Sequence, residues 1–519
     1  MPTDAYYLFL IAARFLLPDS GFCEEMSTAG GALGAVRVRV HVEVERRMPF
    51  EMERTGRWAR GGDGDDEHMR PCLSEDDASV KKAVEEFING NLSVLCAGPL
   101  DFSESGFLSA VVKNISIHIP DDDYKARAAN NNTVPGIPEA DELLPEQEFD
   151  VERSADEVNP VPLWDAELRV HVYTLNCDGS SLETLDGDDT DGDSSTPACT
   201  QWCLPAKEFN GLWESLILER GVKSRLVRYM DANMEFSRRQ VDRTIISWNR
   251  VILLHGPPGT GKTTLCKALA QKLAIWHSRT FQAVHLLEIN SHSLFSKWFS
   301  ESGKMVARLF SFIHEMIEDE SVFLFVLVDE VESLAAARGG SAGDPADAVR
   351  VVNALLTQLD SLKERSNVMV LTTSNITQAI DVAFVDRADL KQFIGLPPVV
   401  ARYNILRSCL EELMRVGLIS PPEQLSSFNA APFSQTDSHD VHHAAAAAAA
   451  AAKASDMLRT IAAGTRGLSG RSLRKLPFLA HGNFICRADP SLLSFVAALS
   501  EAATSFREQR DRIEAENCK

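Results

Sequence analysis

Gly256-Pro257-Pro258-Gly259-Thr260-Gly261-Lys262-Thr263 constrains this 519-residue chain more than any other stretch. It matches G-x-x-x-x-G-K-[ST] and lies between an apolar run, Val251 to His255, and a helical pattern that begins near Thr264. That order is what the motif's mechanism requires. The glycines let the backbone curl until its N–H groups point inward at phosphate, and the helix N-terminus that follows adds positive potential. Lys262 then neutralises β/γ oxygens, Thr263 is placed to ligate Mg2+, and Thr264 continues the phosphate-facing turn.

A loop of this kind belongs on an α/β sheet, and the flanking sequence supplies one. Val284 to Asn290, Phe323 to Asp329 and Val368 to Asn375 repeat the short apolar run, with helical stretches between them. Continuous apolar strands separated by helices predict a parallel sheet covered on both faces. The run at 323–329 ends in Asp329-Glu330, two carboxylates at the strand end where such sheets bind ligands. Asp329 would hold Mg2+ through water and Glu330 would polarise an attacking water, which favours hydrolysis over transfer to an acceptor. Asn375 ends the next strand and can reach the same edge to orient that water. Arg387 sits between Asp386 and Asp389 and reads either as an ion-paired surface arginine or as a finger supplied to a neighbouring subunit.

Composition sets the class. Lys and Arg total 52 against 74 Asp and Glu, a net charge of −22, and no basic stripe is evident, so direct nucleic-acid binding is not expected. The ten cysteines form no C-x-x-C pair, which fits a reducing compartment. Tyr6 to Leu17 is apolar, but Asp4 and Arg14 argue against a signal peptide, and no run reaches the length of a membrane span. The expected location is cytosolic or nuclear. Val36 to Val44 alternates strictly, predicting a half-buried strand, and a second alternating run follows at Leu168 to Tyr173. These place an α+β N-terminal domain over 1–205, ending in an acidic linker at 178–197. The large α/β domain then spans 206–396 and a small helical domain 397–519. Within the last, 420–455 contains nine consecutive alanines, Ala444 to Ala452, and reads as a surface helix or a poorly ordered insertion.

These motifs together resemble the AAA+ ATPases, and Ser296-Lys297-Trp298-Phe299-Ser300-Glu301-Ser302 looks like the substrate-gripping pore loop of that superfamily. More narrowly, the chain resembles the pachytene checkpoint branch. The resemblance rests on WCLPAKEFNGLWES from Trp202, the segment Ile246 to Leu273, INSHSLFSKWFSESGK from Ile289, VRVVNALLTQL from Val349, the segment Leu371 to Gly395, and GLSGRSLRKLPFLA from Gly467. It implies a homo-hexameric ATP- and Mg2+-dependent ring with an N-terminal recruiting domain, a large ATPase domain and a helical lid. It further implies remodelling of HORMA-domain proteins (a Mad-type checkpoint protein and meiotic axis proteins) with a comet-type adaptor, at chromosomes or kinetochores. By position, Lys262 and Thr263 match Walker A, Asp329 and Glu330 Walker B, Asn375 sensor one, Arg387 the trans arginine finger and Arg471 the sensor-two arginine of the lid. Lys297, Trp298 and Phe299 match the pore loop. The chain departs from the wider superfamily in carrying Ser300 after the pore pair, and a single arginine, Arg387, where many relatives have two. A microtubule-severing enzyme of another branch shares the loops but not the branch-specific fragments. A protease is disfavoured because His314-Glu315-Met316-Ile317-Glu318 lacks a second His.

Overall fold

The computed structural model describes residues 37–47, 75–119, 160–184, 197–219, 221–242, 244–290, 302–332, 345–375, 382–429, 442–485 and 490–517. The N-terminal elements are β1 (Val38–Arg46), α1 (Glu75–Asn91), β2 (Val94–Leu95), β3 (Gly98–Pro99), α2 (Gly106–Val111), β4 (Val112–His118), β5 (Val161–Pro162) and β6 (Ala166–Tyr173). β3, β4, β1 and β6 form a sheet in that order, and β2 pairs with β5 apart from it. The two alternating runs of the sequence are direct neighbours, paired in parallel with Val38 opposite Ala166 and Glu45 opposite Tyr173. The valines of β1 face a core shared with Val80, Val84 and Ile88 of α1.

The other face of β1 departs from the expected half-buried strand. His41, Glu43 and Glu45 are buried as well, because the end of a helix from the large domain covers the central part of that face. That helix is α5 below, and it brings Lys272 and Trp276 onto β1. Lys272 Nζ lies 2.9 Å from Glu43 and 3.1 Å from Glu214, and 3.0 Å from His118 Nε2. Trp276 Nε1 donates to Glu43 Oε1 at 2.6 Å. Glu43, His118 and Glu214 converge as metal ligands would, but the cation they surround is the Lys272 ammonium. Burial raises the Glu43 carboxyl pKa, yet Lys272 and His118 more than reverse this and hold it well below the usual range.

The large domain continues with β7 (Ser181–Thr184), β8 (Pro197–Leu204), α3 (Leu212–Ser215), α4 (Val222–Arg238), β9 (Val251–His255), α5 (Lys262–Trp276), β10 (Ala283–Asn290), α6 (Ser302–Met316), β11 (Val322–Asp329), α7 (Pro345–Leu362), β12 (Val368–Ser374), α8 (Val382–Arg387) and β13 (Leu390–Phe393). Its sheet runs β13-β9-β12-β11-β10-β8-β7. The first five strands are parallel, with apolar cores on both faces. Two strands from the stretch expected to be a linker and the residues just after it complete the sheet: β8 pairs antiparallel with β10, and β7 with β8. The sheet therefore begins ahead of residue 206, and part of the segment expected to be a linker is an edge strand. Alternation in 197–204 is too weak to announce this, since Trp202 and Leu204 are buried only by docking on α5 and β10.

Among the described residues, four helices form the C-terminal domain: α9 (Val399–Arg415), α10 (His442–Gly464), α11 (Gly470–Phe484) and α12 (Leu492–Asn517). The alanine run is the start of α10, the helix alternative of its two readings. Its continuation packs Ala454, Leu458 and Ile461 into the domain core, so the helix gains tertiary burial that alanine propensity alone does not provide. Among the described residues, no helix is long and apolar enough to cross a membrane.

His41 stacks on Trp276 with ring centroids 3.8 Å apart, and its Nδ1 is 3.1 Å from His171 Nε2. Burial and His171 push the His41 pKa down to about 3, and burial pushes that of His171 down to about 4. Both lie below the ordinary value of 6.5, so the unfolded chain takes up protons that the folded chain refuses. This contribution to stability is complete above pH 6.5 and declines as pH falls toward 4. Melting curves across that range should show the decline, and a His41→Phe/His171→Phe variant should flatten it. An unchanged slope in the variant would locate the acid sensitivity elsewhere.

Candidate nucleotide site

The Gly256–Thr263 loop leaves β9 at the C-terminal edge of the parallel strands and enters α5 at Lys262, with Gly261 as a left-handed N-cap at φ +94°. Leu265 N–H closes the first turn onto Gly261 O at 2.8 Å. The N–H groups of Lys262, Thr263 and Thr264 therefore precede the helical ladder, as an anion site requires. Glycine is obligatory at two places in the loop for different reasons. At Gly256, φ +145°, a Cβ would stand 2.2 Å from the Ile394 carbonyl oxygen; at Gly259, φ +76°, it would stand 2.8 Å from Ser469 Oγ. One contact is with the large domain and the other with the C-terminal domain, so the loop is held from both sides. Pro257 and Pro258 stiffen the turn between them, and Thr260 Oγ1 closes it by donating to Pro257 O at 3.0 Å.

Lys262 is buried, and its Nζ donates to Gly256 O at 2.9 Å and Pro257 O at 2.8 Å. Burial lowers its pKa, and Glu332, Asp329 and Glu330, in that order, oppose the shift. Thr263 Oγ1 donates to Asp329 Oδ1 at 2.9 Å, bringing the two expected Mg2+ ligands together. Thr373 Oγ1 donates a short hydrogen bond to the same carboxylate oxygen and accepts Glu330 N–H at 3.1 Å. Glu330 has φ +54°, a left-handed conformation uncommon for a non-glycine residue and found often at active sites. Its Oε1 accepts from Asn375 Nδ2 at 3.3 Å. Glu330 and Asn375, each just past the end of one of two adjacent strands, thus meet at the sheet edge beside the loop.

Arg471 reaches the loop through its backbone. At the start of α11, its N–H donates to Gly259 O at 3.1 Å, and its charge contributes to lowering the Lys262 pKa. Arg387 is ion-paired, as one of its two readings had it, but with a residue remote in sequence: it donates from Nε and Nη2 to Asp360 of α7 at 3.0 and 2.8 Å. Asp389 instead accepts from Tyr229 Oη and from the Asn249 and Arg250 N–H groups. Within one subunit Arg387 is an ion-paired arginine, and a role on a neighbour requires release from Asp360. Lys297, Trp298 and Phe299 lie outside the described residues.

Several contributors were not read from the sequence. Thr373 ties Asp329 to Glu330, and Glu332 accepts the Asn375 backbone N–H at 3.0 Å. Ser469 and Ile394 press on the glycines. One signal was available: Thr372-Thr373-Ser374, three consecutive hydroxyls in a strand whose residues are all buried, is costly unless each finds a partner. Beside Thr260 and Gly470, a small recess lined by Ile217, Leu218, Val222, Leu396 and Ile405 lies between the two C-terminal domains. The glycine cradle, the buried lysine and the Thr263–Asp329 pair fit a nucleoside triphosphate with Mg2+.

The model of the ATPase family associated with various cellular activities (AAA) matches residues 252–396, and the fold and site define the protein as an AAA ATPase. The TRIP13-like AAA+ ATPase lid C-terminal domain matches residues 398–507. A pachytene checkpoint protein 2 homolog from Gallus gallus is 48% identical over 366 residues, covering 70% of this chain and 82% of the relative. One from Canis lupus familiaris is 47% identical over 448 residues, covering 86% and 93%. The solved structure of C. elegans PCH-2 superposes with a TM-score of 0.61 at 28% identity, covering 91% of this chain and 100% of that one. The chain belongs to the pachytene checkpoint protein 2 family.

Proposed function

We propose that this ATPase works as a homo-hexamer that uses ATP turnover to convert HORMA-domain proteins from a closed to an open form. Clients of the Mad checkpoint type and of the meiotic axis would be presented with a comet-type adaptor. Family membership supports the client class, and nuclear and cytoplasmic action, at chromosomes or kinetochores, follows from the same reading. The observation that carries the mechanism is the double grip on the phosphate loop: Gly256 against Ile394 of the large domain, Gly259 against Ser469 and Arg471 of the lid.

Thr263 and Asp329 would hold Mg2+, which supplies positive charge to the β- and γ-phosphates. Lys262 exchanges its loop carbonyls for phosphate oxygens. Glu330 accepts the proton of the attacking water, and Asn375 fixes the position of Glu330. Because Arg471 sits on the same loop through the lid backbone, losing the γ-phosphate changes contacts on both domains and rotates one against the other. Arg387, released from Asp360, completes the site of the next subunit.

Trp298 and Phe299, flanked by Lys297, would grip the client by apolar contact. Trp298→Ala is expected to stop conversion of a closed HORMA client, followed by release of its bound partner, while ATP turnover falls far less. Conversion at the wild-type rate would remove the pore loop from the mechanism.

A further inference from the structure

Between the N-terminal sheet and the large domain lies a cleft of about 1340 Å³, whose lining includes seven arginine or lysine side chains against three carboxylates. The chain carries a net charge of −22, yet cations outnumber acids here, and no single stretch of the sequence brings them together. The fold assembles it from separate elements: Arg39 on β1, Arg169 on β6, Arg228 and Arg238 on α4, Arg239 just after it, and Arg279 after α5. These arginines are exposed. Arg169 is tied to Glu167, and Arg238 and Arg239 share Glu235, whereas among the described residues Arg39 and Arg279 form no ion pair.

We propose that this cleft binds an acidic, partly apolar segment of a partner protein. Three observations select that ligand. The volume exceeds the roughly 300–1,000 Å³ usual for small-molecule sites, which suits an extended chain better than a metabolite. The floor is half apolar, with Trp276, Met234, Phe281 and Leu168 among the arginines, so side chains as well as charges are accommodated. Glu167, Asp231 and Glu235 are interleaved with the cations; they would repel the dense charge of a polyphosphate or nucleic acid but leave room for spaced carboxylates. Guanidinium groups match those carboxylates through two parallel hydrogen bonds, and the excess positive charge speeds the encounter. This surface is distinct from the nucleotide loop and does not depend on the client being a HORMA protein.

The test is fluorescence anisotropy of a labelled peptide of repeating Glu, Ser and Leu, titrated with the full chain. Saturable binding that weakens as salt rises is expected. The pair Arg39→Glu/Arg279→Glu should weaken it about tenfold or more, because two reversals lose attraction and add repulsion; Arg415→Glu on the distant helix α9 should leave it unchanged. Hydrogen exchange on the wild-type chain gives an answer that does not depend on a variant folding: the peptide should protect 166–173 and 228–239. Absence of peptide binding, equal weakening by Arg415→Glu, protection elsewhere, or tighter binding of inositol hexakisphosphate or single-stranded DNA than of the peptide would each overturn the proposal.

Discussion

Glu330→Gln is expected to slow ATP hydrolysis by about 10²- to 10⁴-fold, the range of a positioned general base, while nucleotide affinity stays within a few-fold of wild type. The substitution keeps the side-chain shape and retains an oxygen for Asn375 Nδ2, which now lies 3.3 Å from Glu330 Oε1. The backbone that aims the residue is also unaffected, since its φ of +54° is held by Glu330 N–H donating to Thr373 Oγ1. What is lost is the charge that, in the proposed mechanism, accepts the proton of water. Phosphate release and titration with a fluorescent ATP analogue separate the two quantities. Normal turnover in this variant would assign the base to another group.

The second large effect is on stability. Glu43→Ala should cost about 3–5 kcal/mol, the scale for removing one partner of a buried ion pair. The reason lies with Lys272, whose side chain is 3% exposed. Without Glu43 the ammonium keeps Glu214, itself half exposed, the His118 imidazole and the face of Trp213, and loses its one buried carboxylate; Trp276 Nε1 also loses its acceptor. A Glu43→Leu/Lys272→Met double variant removes both charges and should recover much of the loss. Urea unfolding of the three chains measures this. A cost below about 1 kcal/mol for Glu43→Ala, the scale of an exposed pair, would mean that β1 and α5 do not depend on the pair.

The Glu43–Lys272 contact illustrates what a sequence discloses and what it does not. The strands at 251–255, 284–290, 323–329 and 368–375 were legible to within about one residue because an apolar run bounded by polar residues is a local signal. The phosphate loop was legible because its chemistry requires consecutive residues. Burial of the polar face of β1 was not, because Lys272 and Trp276 come from more than 200 residues away. The same holds for β7 and β8, whose strand character depends on β10; for the Asp360 partner of Arg387, which is on α7; and for the arginine cleft, whose arginines come from four separate stretches of the chain. Glu332 lay in plain view two residues after Glu330, but its role depends on the main chain of Asn375 and has no local signature.

In the proposed mechanism, hydrolysis at Glu330 drives a change in a client protein. This is tested most directly by following phosphate release and the closed-to-open conversion of a purified HORMA protein in one reaction, with its adaptor present. Conversion is expected to proceed only while phosphate is released, and both are expected to stop in Glu330→Gln. Steady phosphate release with the client unchanged, or conversion that continues in Glu330→Gln, would contradict the account.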